Sequence, residues 1–266
     1  AMRLEFLIID PQNDFSDAPE AALPVPGARA DAERLADLLD RLGNRIAAIH
    51  VTLDTHQLVD ISHPIFWRGA NDQPPPPFTQ ITVADVERGV WRAFNPEHQT
   101  RALAYVRALR DNGRYTLTLW PPHCLVGTWG HGVMPVMAGA LRRWEETRFD
   151  RVSYVTKGHN PWTEHYSAVR ADVPDPDDPG TQLNTRLIQT LERADRVALS
   201  GQALSHCVAN TVRDIADCLG PKGIRKLVLI EDTSSPVPGF EDLAARFLAD
   251  LRQRGMQTVR AAEFQC

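Results

Sequence analysis

The sequence predicts an α/β fold: a doubly wound, mainly parallel six-stranded sheet with helices on both faces. Three observations lead there. Short apolar runs of strand length alternate with longer segments whose apolar residues recur at helical spacing. The connections between most of them are short, which favours β–α–β crossovers in one sheet. The chain of 266 residues, 43% hydrophobic and 24% charged, is long enough for one large α/β domain with an insertion.

The elements follow in order. Arg3 to Ile9 (RLEFLII) is an apolar run that stops at Asp10-Pro11, as a buried strand entering a turn does. Ala28, Leu35, Leu38, Leu39 and Leu42 form a helical stripe, and Gly43 follows as its cap. Ile46 to Leu53 is the next strand and ends at Asp54. Asn95-Pro96 reads as a cap followed by an N1 proline, ahead of the stripe Leu103, Val106 and Leu109. Tyr115 to Trp120 reads as a strand, Val136 to Thr147 as a helix, and Arg151 to Thr156 as a strand stopping at Lys157-Gly158. Helices are then expected at Thr181 to Arg193, Cys207 to Leu219 and Glu241 to Arg254. They alternate with strands at Arg196 to Ser200, Lys226 to Ile230 and Gln257 to Val259. One domain is expected to span residues 2–266. Phe66 to Phe94, with Pro74–Pro77 and little periodicity, is an irregular insertion: a lid, an oligomer contact or a solvated excursion.

Composition excludes several classes. Net charge is −5, which argues against a nucleic-acid or anionic-membrane surface. Mean hydropathy is −0.31 and no run approaches the roughly 20 apolar residues of a membrane span. With no basic–apolar–small leader pattern, a cytoplasmic location is expected. The four cysteines form no CxxC pair, and Cys207 and Cys218 would lie about 16 Å apart along a helix. This suits a reducing compartment.

In an open parallel sheet, ligands bind at the carboxyl ends of the strands. The polar residues expected there are Asp10, Asp54 with His56, His123, Lys157 and the turn Ser205-His206-Cys207. Cys207 before a helix could be a nucleophile, its thiolate favoured by the helix N-terminus, or a small buried hydrophobe. Of the 29 basic residues only Lys157, Lys222 and Lys226 are lysines, so a lysine kept at a core strand end attracts notice. It could support a thiolate or oxyanion, or be a snorkelling surface amine. Asp10 could shuttle a proton for a thiol or simply form the turn. The period-2 spacing of Asp54 and His56 points both side chains to one side. With His63 and His123 they offer one oxygen and three imidazole nitrogens, a set for Zn, Fe or Mn; singly, each histidine could equally be structural.

The segments LIIDPQNDF (Leu7 to Phe15), WPPHC (Trp120 to Cys124), GTWG (Gly127 to Gly130), KG (Lys157-Gly158), YSA (Tyr166 to Ala168) and the turn Gly201–Cys207 resemble, in this order, those of the nicotinamidases. These belong to the isochorismatase-like cysteine hydrolases, which are three-layer sandwiches. The resemblance implies a triad of Asp10 as proton shuttle, Lys157 as electrostatic support and Cys207 as nucleophile. It implies a divalent metal on Asp54, His56 and His123, with His63 a further ligand. Phe15 and Trp120 would hold the substrate ring, with Tyr166 and His206 lining the pocket. The backbone N–H groups of Ala203 and Cys207 would form the oxyanion hole, with a cis peptide before Ala203. It further implies a small-molecule amide substrate, a role in NAD salvage and a homo-oligomer.

Some features depart from that pattern. Ser205 stands where an acidic residue is usual, His63 to Trp120 is long, and HNPWTEHYSAV follows Lys157-Gly158, with Val169 in an aromatic position and His159 and Trp162 near the pocket. Two further readings therefore stand beside a metal-dependent nicotinamidase. One is a metal-independent cysteine amidohydrolase acting on another amide or ureide; the other is a non-catalytic binding module. Vinyl-ether hydrolysis of the isochorismatase kind needs no thiol, and Cys207 counts against it.

Overall fold

The structure is a computed structural model that describes residues 2–266. In chain order its elements are β1 (Leu4–Ile9), α1 (Ala28–Leu42), β2 (Ile46–Asp54), β3 (Trp67–Arg68), β4 (Gln80–Ile81), α2 (Val83–Glu87), β5 (Arg92–Ala93), α3 (Gln99–Asn112) and β6 (Leu117–Thr118). There follow α4 (Pro135–Arg148), β7 (Ser153–Lys157), α5 (Thr185–Glu192), β8 (Arg196–Gly201), α6 (Ala209–Ile224), β9 (Leu227–Ile230), α7 (Glu241–Arg254) and β10 (Gln257–Val259). The central sheet has six strands in the order β10-β9-β8-β1-β2-β7, and every pairing is parallel. Among the described residues no helix is long and apolar enough to cross a membrane.

Strand alternation divides the core into two layers. Leu4, Phe6 and Ile8 of β1 face α1 and α4, while Leu7 and Ile9 face α5, α6 and α7. Both faces of β1 are covered, so its burial is continuous, as in a parallel sheet. The chain leaves β1 toward β2 and β7 on one side and returns to β8, β9 and β10 on the other. The switch point therefore lies between β1 and β8. There the two backbones come so close that a Cβ on Gly201 would sit within 3.0 Å of Ile9 backbone atoms; its φ of +120° also favours glycine.

One expected strand is displaced. Of Tyr115 to Trp120 only Leu117–Thr118 forms a strand, and it pairs antiparallel with β4, outside the central sheet. The place beside β2 is taken by β7, and Leu117 and Leu119 instead join a third apolar cluster with Trp67, Ile81, Val86 and the buried stripe of α3. Segment 66–94 thus shares a satellite core with α3 and β6. It contains the ladder β3-β5, pairs with β6 through β4, and carries the helix α2, held by a reciprocal cap between Thr82 and Asp85. The expected cap at Asn95 is present: its Oδ1 accepts from Glu97 N–H, one short turn ahead of α3. The helix expected from Cys207 starts earlier. Leu204–Val208 is a single π-helical turn that runs into α6, which continues through a kink at Gly220-Pro221.

Candidate active site

Parallel registry does much of the assembly. Asp54 and Lys157 are paired neighbours at the ends of β2 and β7, Asp10 follows β1, and Cys207 lies in the turn after β8. Lys157 Nζ stands 2.9 Å from Asp10 Oδ2, 3.2 Å from Asp54 Oδ1 and 3.6 Å from Cys207 Sγ. All four side chains are buried. Asp10 has a φ of +45°, a strained conformation for a non-glycine residue, and is held there by Thr52. Asp10 N–H donates to Thr52 O and Oγ1, and Thr52 Oγ1 donates back to Asp10 Oδ1 at 2.5 Å.

These contacts set the protons. Burial raises the Asp10 carboxyl above its ordinary range, and Lys157 only partly offsets this. Burial would strip Lys157 of its proton, but Asp10 and Asp54 outweigh it and hold the ammonium firmly charged. Burial also pushes the Cys207 thiol well up, with Asp10 and Asp54 adding to that and Lys157 opposing. Burial thus opposes the thiolate that a helix N-terminus favours. The cysteine lies inside the π turn, ahead of α6, in a dry and net-acidic pocket.

Beside this cluster stands a group of metal-type donors. One ligand atom each from Asp54, His56 and His123 lie within 4.8 Å of one another. His56 Nε2 is 3.0 Å and His123 Nε2 3.3 Å from Asp54 Oδ2. The other ring nitrogens are occupied: His56 Nδ1 by Asp60 Oδ2, His123 Nδ1 by Pro121 O and His63 Nδ1 by Leu58 O. Partners of this kind aim Nε2 at a metal. His63 stands just outside the closest group, its ring centroid 5.4 Å from that of His56 and 5.6 Å from that of His123. Its Nε2 is buried and has no partner. Three oriented imidazoles, one of them with an orphaned buried Nε2, and one carboxylate fit a divalent cation. Burial lowers the His56 pKa, but Asp54 and Asp60 outweigh it and raise it well above the usual value; burial depresses His63 to about 4.

The aromatic residues named from the sequence divide between the two groups. Phe15 lies against His123, with ring centroids 5.5 Å apart. Trp120 donates Nε1–H to Tyr166 OH at 2.9 Å, and both pack around His206. Ala203 opens the turn that carries Cys207, and the Gln202–Ala203 peptide is cis. His159 is exposed, and Trp162 packs on Phe66 and His98 in the third cluster.

No protein-family model matches the chain. A curated nicotinamidase of Saccharomyces cerevisiae is 23% identical over 255 residues, covering 95% of this chain and 97% of its own. An Acinetobacter baumanii nicotinamidase/pyrazinamidase structure superposes with a TM-score of 0.67 at 20% identity, over 99% of this chain and 98% of that one. The chain has the nicotinamidase fold. The yeast nicotinamidase bound to the inhibitor nicotinaldehyde (TM-score 0.66, 20% identity, 97% and 99% covered) shares it. So does a Pyrococcus horikoshii pyrazinamidase in complex with zinc (0.57, 19%, 97% and 99%).

Within this nicotinamidase fold several residues escaped the sequence reading. Gln12 clamps the end of β2: it accepts from Asp54 N–H at 2.7 Å and donates to Asp54 O at 2.8 Å and His131 O at 3.0 Å. Asp14 accepts from Cys124 N–H at 2.7 Å and Ala22 N–H at 3.0 Å. Both lie in LIIDPQNDF, so position in the motif was the available signal. Asp60 orients His56, Glu164 is buried with one oxygen unpartnered, and Phe240 packs on Trp120 and His206. Nothing in the spacing of these three announces them.

Proposed function

We propose that this protein hydrolyses a small carboxamide, nicotinamide to nicotinate and ammonia, through a thioester on Cys207. The observation that carries the reading is Lys157, buried between the Asp10 and Asp54 carboxylates and 3.6 Å from Cys207 Sγ. Because burial holds Cys207 as a thiol, it needs a base, and Asp10, with its raised carboxyl, is the adjacent one. Asp10 takes the S–H proton as sulfur attacks the carboxamide carbon. The oxyanion would be met by the backbone N–H groups of Ala203 and Cys207, with Lys157 stabilising the negative charge passed between sulfur and Asp10. Asp10 returns its proton to the amine, the C–N bond breaks, and ammonia leaves a thioester. Water, deprotonated by Asp10, then adds to the thioester carbon; the C–S bond breaks, and acid and thiol are released.

Asp54, His56 and His123, with His63 as the further donor, would hold a divalent ion, Zn, Fe or Mn. Such an ion supplies a fixed positive charge that orients and polarises the bound amide. Phe15, Trp120, Tyr166 and His206 would line the ring pocket. On this reading residues 2–266 form one domain with 66–94 as an insertion. The enzyme would work in the cytoplasm as a homo-oligomer, returning nicotinate to NAD synthesis.

The test is ammonia release from nicotinamide by the purified, metal-loaded protein, beside Cys207→Ala and a chelator-treated sample. Release lost in both controls supports the whole reading. Release that survives chelation removes the metal from it, and no release from folded, loaded protein sinks the nicotinamide assignment.

A further inference from the structure

Helix α1 carries a carboxylate on its buried side. Asp31 lies three residues after Ala28 and four before Leu35, in the apolar stripe, and is 3% exposed. A buried carboxylate needs hydrogen-bond partners, and two of them come from segments far along the chain. Asp31 Oδ2 accepts from Gln202 Nε2 at 2.8 Å and from Ser235 Oγ at 2.6 Å, while its Oδ1 accepts from Arg34 at 2.9 Å. Gln202, itself fully buried, closes the ring: its Oε1 accepts the backbone N–H of Ser235 at 3.1 Å. Ser235 O in turn accepts the N–H of Leu204 at 2.8 Å, and Gln202 N–H donates to Ile9 O at 2.8 Å, next to Asp10. Gly27, at the head of α1, lets the serine in, since a Cβ there would stand 3.2 Å from Ser235 Oγ. Ala203 is thus flanked by two residues tied to one serine, and that serine is tied to α1. Its own N–H is taken by no backbone acceptor among the described residues.

We propose that Gln202 and Asp31 act as positioning residues: through Ser235 they fix the Ala203 peptide so that its N–H meets the oxyanion formed when Cys207 attacks a carboxamide. The proposal rests on the amidase reading above and deepens it by naming what holds the donor still. An oxyanion-hole donor is effective only when it needs no reorganisation as the charge develops. A backbone N–H cannot be aimed by the side chain of an alanine. Here a glutamine side chain one residue earlier and a backbone bond one residue later do the aiming, and both end on Ser235. Moving the Ala203 peptide would therefore strain hydrogen bonds to a buried carboxylate, which are stronger than those between neutral groups.

Three measurements on the metal-loaded full chain test this. Gln202→Leu removes both side-chain bonds at similar volume. It should lower kcat for ammonia release from nicotinamide by about ten- to a hundredfold and leave KM within about twofold. Alkylation of Cys207 by iodoacetamide, in which sulfur displaces iodide at a saturated carbon and no oxyanion forms, should keep the parent's rate. Loss of both rates together would mean that the turn has only lost its structure, and an unchanged kcat would mean that the network is idle; either overturns the proposal. Asp31→Leu should give the same pattern, and the double variant should lose no more than the worse single one, because the two side chains act as one network. Losses that multiply would overturn that link. Backbone amide exchange at Leu204 needs no substrate: it should quicken by about tenfold or more in Gln202→Leu, and an unchanged rate overturns the proposal. If the parent releases no ammonia, the amidase reading fails and takes the oxyanion assignment with it, while the exchange still decides whether the network holds the turn.

Discussion

Gly130 offers the sharpest test of how the site is supported. A Cβ at this position would lie within 3.0 Å of all three atoms of the Asp14 carboxylate. Aspartate is too short to bend away while keeping its bonds, so Gly130→Ala must turn the carboxylate out. That breaks both of its hydrogen bonds, to Cys124 N–H and Ala22 N–H. Hydrogen bonds to a charged group contribute about 1.5–3 kcal/mol each, so the expected loss is about 3–6 kcal/mol. A domain is stable by only about 5–15 kcal/mol in total, and the variant should be visibly crippled. Gly127, three residues earlier, is the control. Nothing lies within 4 Å of its would-be Cβ, and its φ of +81° should cost an alanine about 1–2 kcal/mol.

Urea unfolding of four proteins measures this: the parent, Gly130→Ala, Asp14→Ala and the double variant. If the clash with Asp14 is the cause, Gly130→Ala should cost almost nothing once Asp14 is already alanine, giving a coupling energy of several kcal/mol. Thermal midpoints should fall by roughly 2–4 °C per kcal/mol. A single variant within 1 kcal/mol of the parent would refute the reasoning, as would an equal cost in the two backgrounds.

Other outcomes follow from neighbouring features. Gln12→Met removes the three bonds that hold Asp54 and His131, so zinc affinity of the apoprotein, measured with a competing chelator, should fall by about tenfold or more. Unchanged affinity would mean the clamp is idle. Phe78, half-exposed and edge-on to Trp120 at 5.9 Å, is the point where segment 66–94 meets the pocket. Phe78→Ala should raise KM for the amide several-fold while leaving kcat and the unfolding midpoint nearly unchanged. Glu5 is buried; burial raises its carboxyl, but its bonds with His50 and Arg3 prevail and hold it below the ordinary range. A depressed carboxyl stabilises the fold above its unfolded pKa and loses that contribution as pH falls through the folded value. Glu5→Gln should therefore be less stable than the parent at pH 7, and the difference should shrink below about pH 4.5. A gap independent of pH would place the effect in packing alone.

The sheet was legible because strands covered on both faces, such as Leu4–Ile9, are written as short continuous apolar runs, and α1 and α7 carry the helical period. Strand ends were legible for the same reason: an apolar run that stops at Asp10, Asp54 or Lys157 puts a polar side chain at the carboxyl edge. The destination of Tyr115 to Trp120 could not be read. Its apolar residues suit a sheet strand and a satellite cluster equally, and the choice depends on β7 occupying the edge beside β2. The surroundings of Cys207 could not be read: a helix N-terminus is visible in sequence, whereas the burial and the carboxylates that raise its thiol come from residues far along the chain. Asp60 and Phe240 were invisible since each acts across a loop whose path no local pattern encodes.

The residues after β1 show how a motif can look catalytic throughout when, in the proposed mechanism, only Asp10 takes part in the chemistry. Asp10 alone touches Lys157 in this stretch. Gln12 ties the end of β2, Asn13 Nδ2 donates to Trp129 O, and Asp14 ties Cys124. The proton-transfer half of the site and the metal-donor half therefore hang from the same five residues. Damage to Gln12 or Asp14 should show as misplaced Asp54 or His123 with Cys207 still alkylatable, whereas damage to Asp10 should leave the metal donors intact. The two kinds of loss can be separated only by assaying metal content and thiol reactivity side by side, because ammonia release would fall in both.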